Sequence, residues 1–390
     1  MPWPFAVRKA PQVLAEDVPF AATGFALNLF HELAKREDQA NVFFSPASIM
    51  LSLWVLREGA TGATKAAMTR ALGLEAVVPE ALQSRLGNLK SALQSKSSNL
   101  QLRVANSIWC NPRWAPRPEY VHKAREEYDA EVHDLQSLGP ETVSSINRWV
   151  SERTNHKIEQ IVDALDPLTS LLVLNAIYFK ALWAQPFSSA FTRVDSFHAG
   201  DGRNLRIPLM TQFGSFPYFE ESGFQAVRLR YEDPRLGMYV FLPAKTSSLR
   251  EFCRKLTAET WERWMRRFAT VDGDIRIPRF KLAYGSSLNR ALEKLEMGIA
   301  FDPNRAEFDM IQPRQPGAFL SHAHHRSVLE VNEEGTEAAA VTSLMVECVS
   351  SPAKPARRFQ MIVDRPFLLA ICDDQTRTIL FLGAVEQPQV

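Results

Sequence analysis

The chain has 390 residues, 46% of them hydrophobic, and its 45 basic and 44 acidic side chains leave it almost uncharged overall. That length suits one large domain or two to three average ones, and the balanced charge excludes a general binder of nucleic acid or of acidic membranes. Cys110, Cys253, Cys348 and Cys372 are widely spaced, form no CxxC pair and are too few to staple such a chain, so free thiols are expected.

Residues 1–16 contain Pro2, Pro4 and Pro11 and no apolar h-region, so they do not read as a signal peptide, and residues 1–20 are taken as an N-terminal extension. Cytosolic placement, or supply without a leader, is the expectation from these residues alone. Phe25, Leu29, Phe30 and Leu33 share one face at helical spacing, predicting an amphipathic helix over about 23–34. In NVFFSPASIMLSLWVLREG (residues 41–59), Ser45 can cap and Pro46 can start a helix that is apolar on every side from Ile49 to Leu56. Such a helix must be buried. Its Ser48 and Ser52 then need internal partners, because an unpaired buried hydroxyl costs about 1–3 kcal/mol.

One partner is offered by LLVLNAIYF (residues 171–179), which reads as a strand covered on both faces and interrupted by Asn175. Arg263, Trp264, Arg266 and Arg267 mix basic and aromatic residues, but one wet helix face accounts for them. His322, His324 and His325 have no carboxylate or cysteine nearby in sequence to complete a metal set. Toward the C-terminus, residues 360–363, 367–372 and 378–385 read as three short strands. No repeat, linker or domain boundary appears, and the 24 prolines and 17 glycines are scattered. A mixed α+β fold in a single domain over residues 1–390 is expected.

The unusual segment comes after Val328–Asn332, which alternates as a strand. Residues 333–350 (EEGTEAAAVTSLMVECVS) lack both core-sized side chains and turn residues. They fit a helix capped by Thr336. They also fit a strand of period two, in which Thr336, Ala338, Ala340, Thr342, Leu344, Val346 and Cys348 make one uncharged face and Glu337, Met345 and Glu347 lie on the other. Gly335 is where the chain leaving one strand can fold back beside it.

EEGTEAAA (Glu333, Glu334, Gly335, Thr336, Glu337, Ala338, Ala339, Ala340) resembles the proximal hinge of inhibitory serpins. Further resemblances span nearly the whole chain: NVFFSPASI (41–49) to the buried-helix signature, LNAIYFKALWAQPF (174–187) to the central-sheet strand, and Arg365-Pro366-Phe367 with Phe381-Leu382-Gly383 to the C-terminal signature. The resemblance implies a serpin fold, with three β-sheets, about eight to nine helices and an exposed reactive-centre loop, here residues 333–358. It implies a shutter of hydrogen bonds from Asn41, Ser45, Ser48, Asn175 and His325, and a breach formed by Trp183, Arg279 and Glu333. It places the reactive bond at Val349–Ser350, beside Cys348.

The same resemblance implies an inhibitor that acts as a suicide substrate. Cleavage frees the loop to add a strand to the central sheet. If about ten new backbone bonds each contribute roughly 1 kcal/mol net, insertion releases on the order of 10 kcal/mol. A β-branched Val349 suits an elastase-like or subtilisin-like serine protease and not a trypsin-like one. No cofactor, metal, membrane or nucleic acid is expected, and a monomer is. Glycosaminoglycan activation is not expected, since Arg85, Lys90 and Lys96 are scattered. Residues 351–358 (SPAKPARR) are longer than usual and read as a proline-stiffened spacer. The family is mostly extracellular, which stands against the missing leader. No GxSxG, HExxH, GxGxxG or phosphate-loop motif supports an enzyme. The alternatives are a non-inhibitory serpin acting as chaperone, carrier or binding module, which a bulky or charged inserting face would have favoured, and inhibition of a cysteine protease.

Overall fold

In this computed structural model the described residues are 18–35, 41–75, 77, 79–94, 100–111, 116–312, 317–335 and 358–390. The first helix, α1 (Val18–Leu33), begins earlier than its sequence pattern suggests. Phe25, Leu29, Phe30 and Leu33 are all buried, and that packing carries the helix through Thr23 and Gly24 against their weak propensity. After β1 (Val42–Phe44), α2 (Pro46–Glu58) starts as predicted: Pro46 opens it and the Ser48 N–H donates to the Ser45 side chain. Every residue from Pro46 to Leu56 is buried.

The chain continues through α3 (Gly62–Ala71), α4 (Pro79–Ala92), β2 (Leu100–Cys110), α5 (Pro118–Tyr128), β3 (Glu131–Asp134), α6 (Pro140–Arg153) and β4 (Leu171–Ala181). Next come four strands, β5 (Arg193–His198), β6 (Asn204–Glu221), β7 (Phe224–Arg230) and β8 (Leu236–Pro243), then α7 (Leu249–Arg254) and α8 (Ala258–Met265). The remainder is β9 (Ala269–Pro278), β10 (Phe280–Ser287), α9 (Asn289–Leu292), β11 (Leu320–Val331), β12 (Phe359–Ile362), β13 (Phe367–Asp373) and β14 (Thr378–Val385). The three C-terminal strands lie within a residue or so of their predicted positions.

Five strands form one sheet in the order β10-β11-β4-β2-β3. The other nine are hydrogen-bonded through β6, which serves two sheets. Its residues 204–209 pair with β5 and 209–218 with β9, whereas 218–221 pair with β7 at the edge of the stack that runs through β8, β13 and β14 to β1. Three sheets and nine α-helices are thus present among the described residues.

Helix α2 touches β14 on one side and β2 and β4 on the other, which is why it needs no polar face. The opposite face of β4 is covered by α6: Val150 packs with Ala176, Tyr178 and Val328, and Ile146 with Leu172 and Leu174. Apolar cover on both faces explains the continuous apolar run of this strand. In α8, Trp264 is buried and Arg263 exposed, while the exposed Arg266 and Arg267 lie just past the helix end, so the mixed basic and aromatic cluster is a helix terminus with a wet side and not one helix face. Cys110, Cys253 and Cys372 are buried free thiols; Cys348 lies outside the described residues.

Candidate functional site

Three polar residues stand opposite one another across the apolar middle of the five-stranded sheet. Asn106 on β2 faces Asn175 on β4, and Asn175 faces His325 on β11. All three are at least 94% buried, so each polar atom must find a partner. The Asn175 amide donates to Ser48 Oγ at 2.6 Å, to Ser52 Oγ at 3.1 Å and to the Asn106 side-chain oxygen. Ser52 Oγ donates to the same Asn106 oxygen at 3.0 Å. The two serines of the buried helix are thereby satisfied by the sheet above them. Asn106 and Ser52 are the members that the resemblance did not assign. A lone asparagine in LQLRVANSIWC is the available signal.

His325 closes this cluster. Its Nδ1–H donates to Asn175 Oδ1 at 2.6 Å, and its Nε2 accepts the Ser45 N–H at 3.2 Å. Only a neutral ring can do both, since a proton on Nε2 would face another donor. Burial drives its pKa down to about 3, although the bond to Asn175 opposes the shift. Asn41, expected in this cluster, sits elsewhere: it donates to Gln387 O at 2.6 Å and accepts from the N–H groups of Glu386 and Gln387 at 2.8 and 2.9 Å. It is the entry to β1 that Asn41 fixes, because the C-terminal residues beyond β14 present N–H groups there.

A second cluster lies where β11 ends. The Trp183 indole N–H donates to Asn332 O at 2.9 Å, the Trp183 backbone N–H to Glu334 O at 3.0 Å, and the Phe187 N–H to Glu333 O at 2.7 Å. The indole is buried and stacks on Tyr231 with ring centroids 4.6 Å apart. The Glu333 carboxylate accepts from the Thr192 hydroxyl at 2.8 Å, while Arg279 is farther away at 3.7 Å and half exposed. The cation therefore contributes about 0–1 kcal/mol, and Thr192, which has no signal in the sequence, is the nearer partner. Gly335 adopts φ +149° and bridges Leu182 in antiparallel sense. A Cβ there would lie 2.3 Å from Ala181 O and 2.6 Å from Leu182 Cα, so only glycine permits this turn. Thr336, Glu337, Ala338, Ala339, Ala340, Cys348, Val349 and Ser350 lie outside the described residues.

Comparison with known proteins bears on the chain as a whole. The family model for serpins (serine protease inhibitors) matches residues 20–388. This chain belongs to the serpin family. It is 35% identical to a serpin-like protein of Thermococcus kodakarensis, over 95% of this chain and 85% of that one. Leukocyte elastase inhibitor A of Mus musculus is 29% identical over 96% of this chain and all of that one. The crystal structure of the thermophilic serpin tengpin in its native state matches with TM-score 0.88 and 27% identity over 97% of this chain and 96% of that one. Human thyroxine-binding globulin complexed with thyroxine matches with TM-score 0.87 and 26% identity over 96% and 100%.

Two outcomes are expected of this serpin. Because His325 is neutral in the fold and titrates near pH 6.5 when exposed, the unfolded chain holds the extra proton between about pH 6.5 and 3. Stability is complete above that window and falls as pH is lowered through it. Denaturant midpoints measured from pH 7.5 to 5 should decline, and less steeply in His325→Gln. Gly335→Ala should lower the midpoint at pH 7.5, with a loss of at least about 1 kcal/mol.

Proposed function

We propose that this serpin is a single-use inhibitor of a serine protease, cleaved between Val349 and Ser350, which traps its target by moving the segment from Thr336 onward into the five-stranded sheet. The observation that carries this reading is the strand arrangement at the hinge. β11 and β4 are parallel neighbours along Leu320–Leu329 and Leu171–Phe179. The chain leaving β11 turns at Gly335 and already bridges Leu182, just past the end of β4, in antiparallel sense. A strand continuing from that turn runs antiparallel to β11, and therefore antiparallel to β4 as well. Its entry would replace one parallel ladder by two antiparallel ones, the more stable kind per residue.

Insertion also requires the side-chain seam between His325 and Asn175 to part. Those are neutral side-chain bonds, and backbone groups of an entering strand can take over the burial. On this reading the family role is inhibition of proteolysis, not catalysis: the protease supplies the serine nucleophile, and the loop supplies only a scissile bond. While the acyl-enzyme persists, displacement of the loop pulls the protease's serine away from its oxyanion hole, and deacylation slows. Val349 suits a shallow or apolar specificity pocket, and the mouse relative named leukocyte elastase inhibitor A supports the elastase-like half of that class.

A carrier role is the second reading, favoured by the likeness to thyroxine-binding globulin in complex with its ligand. Incubation with elastase-like, subtilisin-like and trypsin-like proteases separates the two. The expected result is an adduct with the first two that survives denaturing electrophoresis, with mass spectrometry placing the cut after Val349. Cleavage with no adduct from any of them favours the carrier. Thr336→Arg puts an unpaired cation on the inserting face, at a cost of several kcal/mol. That variant should be cleaved without trapping, and persistent trapping by it would refute the insertion mechanism.

A further inference from the structure

A cleft of about 820 Å³ opens between α1, α7 and the end of β14. That volume is in the range of sites for small organic molecules, about 300–1,000 Å³. It lies away from both the Asn175–His325 seam and the Gly335 hinge, and none of its lining residues takes part in them. Its walls carry two kinds of group. Val42, Leu249, Leu295, Pro366 and Ala384 give an apolar interior, and three arginines, Arg250, Arg254 and Arg365, line the same space.

The charges are not mutually cancelled. Glu32 is already taken by Lys35 at 2.5 Å. His31 is turned into the wall, its Nε2 donating to Cys253 O at 3.0 Å. Arg365 bonds Pro243 O through Nε and Asp364 through one terminal nitrogen, which leaves donors of its fork over. Arg250 and Arg254 form no ion pair with any described residue, and both are exposed at the rim. The remaining carboxylate, Glu386, is held up to about 7 by burial against the pull of Arg250, so near neutrality it carries only part of its charge. An apolar floor with a surplus of planar cationic donors at its mouth matches one class of molecule.

We propose that this cleft binds an amphipathic organic anion, its apolar body against Val42, Leu249 and Ala384 and its carboxylate between Arg250 and Arg254. The proposal stands independently of protease inhibition. Only binding energies enter it, so it needs no reaction at the reactive-centre loop.

The test uses the full chain and two probes of equal apolar length, dodecanoate and dodecan-1-ol, with binding followed by isothermal titration calorimetry. Dodecanoate should bind severalfold more tightly than the alcohol, the effect expected from exposed arginines that each contribute only weakly. The double variant Arg250→Gln, Arg254→Gln should bring dodecanoate down to the level of the alcohol and leave the alcohol unchanged. Because both side chains are exposed, its melting temperature should match the parent and report an intact fold. Glu386→Gln should tighten dodecanoate severalfold by removing the residual negative charge. Absence of dodecanoate binding, or equal binding of acid and alcohol in parent and variants, overturns the proposal. Dodecanoate binding that survives the double arginine variant also overturns it, since the anion would then lie elsewhere.

Discussion

The fold depends on keeping one histidine uncharged. His325 is simultaneously a donor to Asn175 and an acceptor from the Ser45 backbone, and this joins three elements that are remote in sequence: β11, β4 and the N-terminus of α2. An apolar pair at His325 and Asn175 would hold the strands together equally well. It would take from the hydroxyls of Ser48 and Ser52 the Asn175 amide that both accept from, leaving Ser52 its bond to Asn106. Burying polar groups costs stability unless all are paired. Here all are paired while the sheet is closed, so the closed register is specified without making β4 and β11 inseparable.

The hinge works by a different constraint. Backbone bonds from Trp183 and Phe187 to the carbonyls of Glu334 and Glu333 hold the end of β11 over the end of β4, and the tight approach of Gly335 to Ala181 and Leu182 fixes the direction in which the chain departs. The half-exposed pair of Arg279 and Glu333 adds little beside these. Position at the hinge is therefore set by backbone geometry and one indole, and charge has a secondary part.

Much of this is legible in the sequence because burial leaves a strong pattern. An all-round apolar helix after Ser45-Pro46 has to sit between layers, and its serines need polar partners in whichever strands cover it; Asn175, alone in an apolar run, meets that need. What escapes is the part carried by pairing across strands. Asn106 belongs to the cluster only through its register opposite Asn175, and register is not written in either segment alone. Thr192 reaches Glu333 from a short connection with no pattern of its own. Asn41 is misplaced by the resemblance because its neighbours in sequence join the cluster, whereas its side chain meets the C-terminal residues, more than three hundred positions away. The early start of α1 shows the same thing on a smaller scale, with packing overriding propensity.

β1 has the two sites at its two ends. At the entrance Asn41 accepts the N–H groups of Glu386 and Gln387, and Glu386 lines the arginine-rimmed cleft. At the exit Ser45 caps α2 and donates its N–H to His325. Between them are three residues, Val42–Phe44, paired to β14, so the two ends cannot shift independently. Proximity of this kind is a mechanical link and not yet a thermodynamic one. A ligand in the cleft biases the opening of β4 from β11 only to the extent that it binds one state of the sheet more tightly than the other. Since β1 packs against β11 and Ser327 Oγ donates to Phe43 O at 2.7 Å, separating the strands pulls directly on β1. Val42 is the residue that β1 contributes to the cleft wall, whereas Arg250 and Arg254 belong to α7, so any such difference in affinity would enter through Val42 and not through the arginines.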